Sequence, residues 1–176
     1  MKKLTALLLV LVVAFGLIAC GNTEKTPTEP TITNLTGTME ENLNAVNEKH
    51  AAMELPLMVM TLDLTDLEGL TYNTGLTTAD NITDAAICEP MMGQPYSMLL
   101  VRVAEGTDAK EIAQQMYDNI DMRKWVCMAA DTKTAAVYGD VAMFFMISTD
   151  FADQATTESM MDAFKAVCGE GVTVIG

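Results

Sequence analysis

The chain has 176 residues, of which half are hydrophobic, only 6% are aromatic and 15 are methionine. This length corresponds to about one ordinary domain, and so much apolar side chain excludes a chain that is disordered throughout. The formal charge is -14, from 10 Lys and Arg against 24 Asp and Glu. That balance predicts no nucleic-acid partner, because affinity for phosphates requires clustered positive charge.

The first 20 residues combine a basic start, an apolar run and a cysteine. Lys2 and Lys3 precede residues 4–18, an uncharged stretch of 15 residues that is too short to span a bilayer comfortably and suits a signal peptide. Residues 17–21 resemble the lipobox of bacterial lipoproteins, in which the cysteine, here Cys20, is acylated. We therefore predict acylation of Cys20. The alternatives are an uncleaved membrane anchor and an ordinary signal peptide with a chance cysteine.

Residues 1–19 are the predicted signal peptide, and residues 20–38 are predicted to form a tether. The stretch after the cysteine holds seven Thr and two Pro, and the prolines favour extended backbone. Removal of the signal peptide takes away two lysines and no acid, which leaves a side-chain charge of -16. Because an anionic bilayer repels that charge, acylated Cys20 is the predicted link to the lipid bilayer, on the outer face of the cytoplasmic membrane.

Residues 39–176 are predicted to fold as a single α+β domain. Thr38 and Glu41 form a capping-box pattern, and the apolar spacing after it predicts an amphipathic helix that continues to Leu55 and Pro56. A short helix is predicted at residues 66–70. The stretch before it, residues 57–64, receives no assignment.

Strands in pairs alternate with the remaining helices. The pattern of apolar runs and turns predicts strands at 82–89, 96–104, 135–138 and 141–148, with a short optional strand at 172–175. Asp108 and Asp150 are the predicted N-caps of two helices, with Arg123 and Lys124 near the end of the first and Gly169 at the end of the second. The order helix, two strands, helix, two strands, helix predicts an antiparallel sheet of about four strands covered by helices.

Several apolar and structural features occur together along the chain. They are the lipobox, the Thr-rich tether, Leu55-Pro56 at the end of the first helix, the run from Met98 to Val103 that leads to Asp108, and Gly139 between two apolar strands. In this combination the chain resembles an uncharacterised family of small lipoproteins of Gram-positive bacteria, a domain of unknown function. The resemblance implies a fold and a membrane location. It supplies no catalytic residue.

Candidate chemistry is sparse. Cys88, Cys127 and Cys168 show no CxxC spacing, which excludes thioredoxin and zinc-ribbon motifs. We interpret them as three buried small hydrophobic residues, with one disulfide, or a redox or metal role, left open. His50 is the only histidine and lies on the apolar stripe of the first helix, which favours a packed structural role over catalysis. A catalytic triad that uses His50 as its base would need a nucleophile close to it in space, and the only serines are Ser97, Ser148 and Ser159.

Seven acids and no base lie between His50 and Arg102. Their spacing does not fit an EF-hand loop, so a solvated acidic face is predicted, with a partner surface or a calcium site left open. Met91 and Met92 could form an adaptable binding surface, although most methionines are assigned to the core.

No catalytic constellation, metal site or cofactor motif is predicted. The sequence therefore favours a non-enzymatic, membrane-anchored extracytoplasmic module with a possible protein partner at the cell envelope. The alternative is a small extracytoplasmic enzyme or metal-binding protein that uses dispersed carboxylates. A deep pocket with converging polar groups would favour the enzyme, and a shallow apolar or acidic patch would favour the module.

Overall fold

The computed structural model describes residues 32–50 and 54–176. The signal peptide, Cys20 and most of the predicted tether lie outside these residues. The helices are α1 (Met39–Lys49), α2 (Leu67–Thr74), α3 (Ala109–Asn119) and α4 (Thr157–Cys168). The strands are β1 (Leu57–Thr61), β2 (Ile82–Pro90), β3 (Tyr96–Val103), β4 (Thr132–Tyr138), β5 (Val141–Ile147) and β6 (Thr173–Val174).

One antiparallel sheet contains all six strands, in the order β1-β2-β3-β5-β4-β6. The predicted α+β class with an antiparallel sheet covered by helices is confirmed. The four predicted strands are the four inner ones, and the two additional strands are the edges. At one edge, β6 corresponds to the optional terminal strand. At the other edge, β1 lies within the stretch that received no assignment.

Helices cover both faces of the sheet and form two cores. On one face, α1 and α4 pack on alternate residues of the strands, such as Met98 of β3 and Phe145 of β5. On the other face, α3 packs on the intervening residues, such as Leu99 and Phe144. Every residue of β5 is buried, because successive side chains point to opposite faces and both faces are covered. This double burial explains the continuous apolar run in an antiparallel strand.

Some predicted helix ends are confirmed. The capping box of Thr38 and Glu41 begins α1, Asp108 caps α3, and Gly169 follows the last residue of α4. The first helix ends at Lys49, however, and not at Leu55, because the chain must turn there to bring Leu57 beside Pro90 of β2.

Two other predicted helix ends are wrong. Asp150 does not cap α4, because it lies in a single 3-10 turn (Thr149–Phe151), and the capping box of Thr156 and Ser159 begins α4 instead. Ser148 and Thr156 both start helical turns in this segment, and the sequence pattern did not separate them. Likewise α3 ends at Asn119, where Ile120 turns to extended backbone, so Lys124 lies in the following loop.

The last residues of the predicted tether are fixed to the sheet by Arg102. Its guanidinium donates to the carbonyls of Leu35 at 2.6 Å and Gly37 at 2.7 Å, and it is paired with Asp140 at 3.4 Å. Gly139, with φ of +57°, forms the adjacent hairpin turn, and a Cβ there would lie 2.5 Å from Oδ1 of Asn34. The chain therefore enters the domain at the end of the sheet where β3 ends and β5 begins, which we call the tether end.

Candidate functional site

The opposite end of the sheet, which we call the loop end, carries the most exposed apolar side chains. It is formed by the β2–β3 turn, the end of α2 and the loop between α3 and β4. Val126 is 86% exposed, Met92 78% and Met91 68%. Tyr72 and Met128 are also exposed. We call these five residues the loop-end surface. Single exposed apolar residues are common on proteins, but these five lie in segments that meet at one end of the sheet.

A buried lysine joins the segments that form this surface. Nζ of Lys124 lies 2.6 Å from Oε1 of Glu89, at the end of β2, and its side chain is only 1% exposed. The same Nζ lies 3.2 Å from Oγ of Ser97 in β3. The rings of Tyr72 and Trp125 stand 5.7 Å and 5.3 Å away, within the range of cation–π attraction.

The Lys124–Ser97 contact has the atoms of a serine–lysine nucleophile pair, but its surroundings oppose that chemistry. Burial lowers the pKa of Lys124, while the Glu89 carboxylate opposes this by favouring the charged ammonium. A lysine that is ion-paired cannot accept the Ser97 proton. Ser97 is fully buried, so no substrate reaches its hydroxyl. The cluster therefore fixes the loop and is not a catalytic site.

Cys127 is held in a left-handed conformation by the same loop. Its φ is +62°, uncommon for a residue other than glycine, and its side chain is exposed. The prediction of a buried small hydrophobic residue is therefore wrong for this cysteine, because the loop turns outward after Lys124. The hydroxyl of Tyr72 donates to the Lys124 carbonyl at 2.7 Å and supports this geometry.

Cys88 of β2 and Cys168, the last residue of α4, are buried in the core on the face of the sheet that α1 and α4 cover, as predicted. Burial raises the pKa of Cys88 to about 11 and that of Cys168 to about 12. The thiol is the inert form, so neither cysteine is a nucleophile near neutral pH. Within the described part of the chain, Cys88, Cys127 and Cys168 are all free, so the disulfide alternative is not realised among them.

His50 contacts a serine, although its predicted role was structural. Nε2 of His50 lies 2.9 Å from Oγ of Ser159. That hydroxyl already accepts from the backbone N–H of Thr156 and donates to the Thr156 carbonyl, so it serves the cap of α4. Nδ1 of His50 has no hydrogen-bond partner among residues 32–50 and 54–176. Burial lowers the pKa of the His50 side chain. Without an acid to orient the ring, the pair lacks the third member of a catalytic triad.

The acidic residues do not converge on a metal site in the described part of the chain. No group of three His, Cys, Asp or Glu side chains there could hold an ion. Asp63 and Asp66 form local turns, in which their carboxylate oxygens accept hydrogen bonds from the backbone N–H groups of Thr65 and Gly69. Among those same residues, no helix has both the length and the apolar character needed to cross a membrane.

The described recesses of the surface are open, and neither His50 nor the Lys124–Ser97 contact lines them. One of about 410 Å³ lies at the loop end, with Trp125, Cys127 and Met128 in its wall. Another, of about 470 Å³, is lined only by α3 and its cap, from Asp108 to Asn119. A third, of about 290 Å³, lies between α4 and the β4–β6 edge, with Thr134, Met161 and Lys165 in its wall. None of them brings His50 together with a second titratable group in a pocket.

No family model matches the sequence, and no match was found among curated proteins or solved structures. The loop-end cluster itself was not predicted, because it joins three segments distant in sequence. One signal was present: Glu89 directly follows the apolar run from Ala85 to Cys88, and a partly buried acid in such a position needs a base close by.

Proposed function

We propose that the protein is a non-enzymatic, lipid-anchored interaction module on the outer face of the cytoplasmic membrane. Acylated Cys20 holds it to the lipid bilayer, and the loop-end surface binds a protein partner at the cell envelope. The lipobox pattern and the resemblance to small Gram-positive lipoproteins support the anchor. The described recesses are open, and none of them joins His50 to a serine or a cysteine, which is consistent with binding.

The observation that carries this proposal is the separation of the tether end from the loop end. Arg102 fixes the incoming chain at one end of β3, and Lys124 fixes the exposed loops at the other. The eight residues of β3 span about 25 Å at the usual rise of a strand. A chain anchored through Cys20 therefore presents the loop-end surface on the side away from the point of attachment.

The chemistry of the surface suits a protein partner. Methionine side chains adapt to irregular apolar surfaces because they are unbranched and polarisable. Met91 and Met92 follow Glu89 closely in the chain, and Val126 follows Lys124. The Lys124–Glu89 ion pair therefore holds the two exposed loops together. A rigid frame lowers the entropy cost of ordering the loops on binding.

The anchor is tested by a Cys20→Ser variant expressed beside the wild type. A metabolically incorporated fatty-acid analogue should label the wild type and a Cys127→Ser control, and it should not label Cys20→Ser. The Cys20→Ser chain should also remain uncleaved at the usual site or be shed to the medium, because a mature body with charge -16 has no electrostatic attraction to anionic lipid. Wild-type labelling and fractionation of Cys20→Ser would refute the anchor.

The binding surface is tested by photocrosslinking on living cells. A photoreactive amino acid at Met92 should give a discrete crosslinked species, whereas the same group at Asp118, exposed on the outer side of α3, should not. Equal crosslinking from both positions would show that the loop-end surface has no preferred role.

A further inference from the structure

The edge strand β1 has unused backbone hydrogen-bonding groups. Leu62 N donates to Ala85 O and Met91 N to Pro56 O, on either side of β1. Bonded and non-bonded pairs alternate in an antiparallel ladder, so Met58 and Met60 direct their backbone groups to β2. The N–H and C=O of Leu57, Val59 and Thr61 therefore face outward. Within residues 32–50 and 54–176, no hydrogen bond to these outward groups is present.

This edge lacks the usual protection against pairing. The strand reads LMVMT, without a charged residue or a proline, and Met58 and Met60 are 41% and 38% exposed. Natural edge strands are commonly short, charged or interrupted by proline. The opposite edge follows that rule, because β6 has only two residues. An unprotected apolar edge is the feature that strand-adding peptide sites share.

A small cleft lies next to β1 on the face of the sheet that α2 covers, between α2 and the strands β1 and β2. Its volume is about 140 Å³, and Met60, Leu70 and Ile87 contribute apolar lining. Asp63 and Asp66 also line it. A cleft with apolar walls and carboxylates suits a lysine or arginine, whose aliphatic stem packs while its charged head meets the acids.

The charges around β1 are almost all negative. Oε2 of Glu40 accepts from the Thr61 hydroxyl at 2.8 Å, and Glu54 is exposed before the strand begins. Hydrogen bonds from Thr65 lower the pKa of Asp63, which keeps it ionised. The one exposed base on the flanking elements α1 and β2 is Lys49, in the last turn of α1.

These charges disfavour a second copy of the chain as the occupant of the edge. An antiparallel pairing of β1 with itself would centre on Val59, with Leu57 opposite Thr61. That register would bring Asp63 of one copy beside Leu55 of the other, next to its Glu54. Like charges placed together at a new interface are unfavourable, and each copy carries a formal charge of -14.

We propose that the open edge of β1 binds an extended, basic segment of another protein by strand addition. The segment pairs with the outward N–H and C=O groups of Leu57, Val59 and Thr61, and a lysine or arginine enters the cleft between β1 and α2. This site is distinct from the loop-end surface. It also does not require acylation of Cys20, so its failure would leave the proposed anchor unaffected.

The test uses the full chain in a non-ionic detergent and a fluorescent peptide in which valine and lysine alternate. We expect binding that weakens with added salt. A peptide with glutamate in place of lysine, and one N-methylated at the amides that would face β1, should not bind. The N-methylated peptide tests the backbone contact without changing the protein.

Matched variants of the protein test the same contacts. Val59→Pro removes an outward N–H, a position at which an edge strand tolerates proline, and should weaken binding by about tenfold. Val59→Ala retains that N–H and should bind within about twofold of the wild type. Asp63→Asn should weaken binding by about threefold, whereas Asp162→Asn, on the exposed side of α4, should not.

Three results would overturn the proposal. The first is no binding of the lysine peptide, and the second is equal binding of its N-methylated form. The third is a dimer in sedimentation that Val59→Pro abolishes, because it would assign the edge to a second copy of the chain.

Discussion

Lys124 and Glu89 show how a single buried pair can define a surface. The lysine comes from an irregular loop and the acid from the end of a strand, and their contact fixes the loop against the sheet. An ion pair in such a place is costly to desolvate and costly to break. Its value here is positional, since Trp125, Val126 and Cys127 follow directly after the fixed residue.

We expect Glu89→Gln to lower the free energy of unfolding by about 3 kcal/mol, because it leaves the buried Lys124 ammonium without a counter-charge. The double variant Glu89→Gln with Lys124→Met should recover most of this loss, because no buried charge remains. Urea unfolding of the three proteins measures both effects. A double variant less stable than the single one would show that the pair itself is strongly stabilising.

His50 should make stability depend on pH near neutrality. Its pKa in the folded protein is lowered from 6.5, chiefly by burial. Above pH 6.5, the pKa of His50 in the unfolded chain, the ring is neutral in both the folded and the unfolded state, and its burial costs no stability through proton binding. As pH falls below it, the unfolded chain binds the proton more readily, so stability is lost until the folded pKa is passed.

We therefore expect the wild type to lose more unfolding free energy between about pH 7.5 and about pH 5.5 than a His50→Gln variant does. The variant keeps its other titratable groups, so the difference isolates His50. Urea unfolding at both pH values measures it, and the cellular phenotype of a deletion should be restored by the variant. An equal loss in both proteins would contradict the burial of the ring, and a lost phenotype would contradict its structural role.

At the scale of elements, the caps separate correct from incorrect prediction. Thr38 and Glu41 stand at capping-box spacing directly before the apolar stripe of α1, so the start of this helix could be predicted. Before α4, Ser148 and Thr156 both fit a helix start, and the acid at Asp150 favoured the wrong one. Two helix-start signals stand within eight residues of each other here, and the local sequence is the same kind of signal for the short 3-10 turn as for α4.

This correction has a direct test. Thr156→Ala should lower the free energy of unfolding by about 1 kcal/mol, because it removes the side chain that caps α4. Asp150→Ala should change it by less than about 0.5 kcal/mol, because its exposed side chain caps no long helix. Thermal or urea unfolding compares the two. The reverse ranking would restore Asp150 as the effective cap.

Inner and outer strands differed in how well the sequence indicated them. β3 and β5 are apolar runs bounded by clear turns, so they could be predicted from composition, whereas β4 begins at Thr132, before the predicted start at 135, because its first residues are polar. β1 was missed because its five residues sit between a helix pattern and an aspartate-rich turn, and a short apolar run fits several structures. Pairing with β2, a contact distant in sequence, makes it a strand.

At the scale of the whole molecule, the two cores share every inner strand. Unfolding either helix layer would expose one face of β3 and β5, so we expect the body to unfold in one cooperative transition. A chain that begins at Ile32 and one that begins at Met39 should both show this. Two separated transitions in calorimetry would contradict a single domain.

The shorter of these chains should be less stable by about 2 kcal/mol. It lacks the Thr38 cap of α1 and the Leu35 side chain, which packs against the core, and it leaves Arg102 without two carbonyl partners. Equal stability would show that residues 32–38 contribute nothing to the fold.

The most direct test of the proposed orientation uses Cys127, the exposed thiol of the loop end. A membrane-impermeant maleimide applied to intact, wall-free cells should label the wild type in the membrane fraction. It should not label Cys127→Ser, because Cys88 and Cys168 are buried. Labelling of Cys127 only after the cells are lysed would contradict an anchored module that presents its loop end outside the membrane.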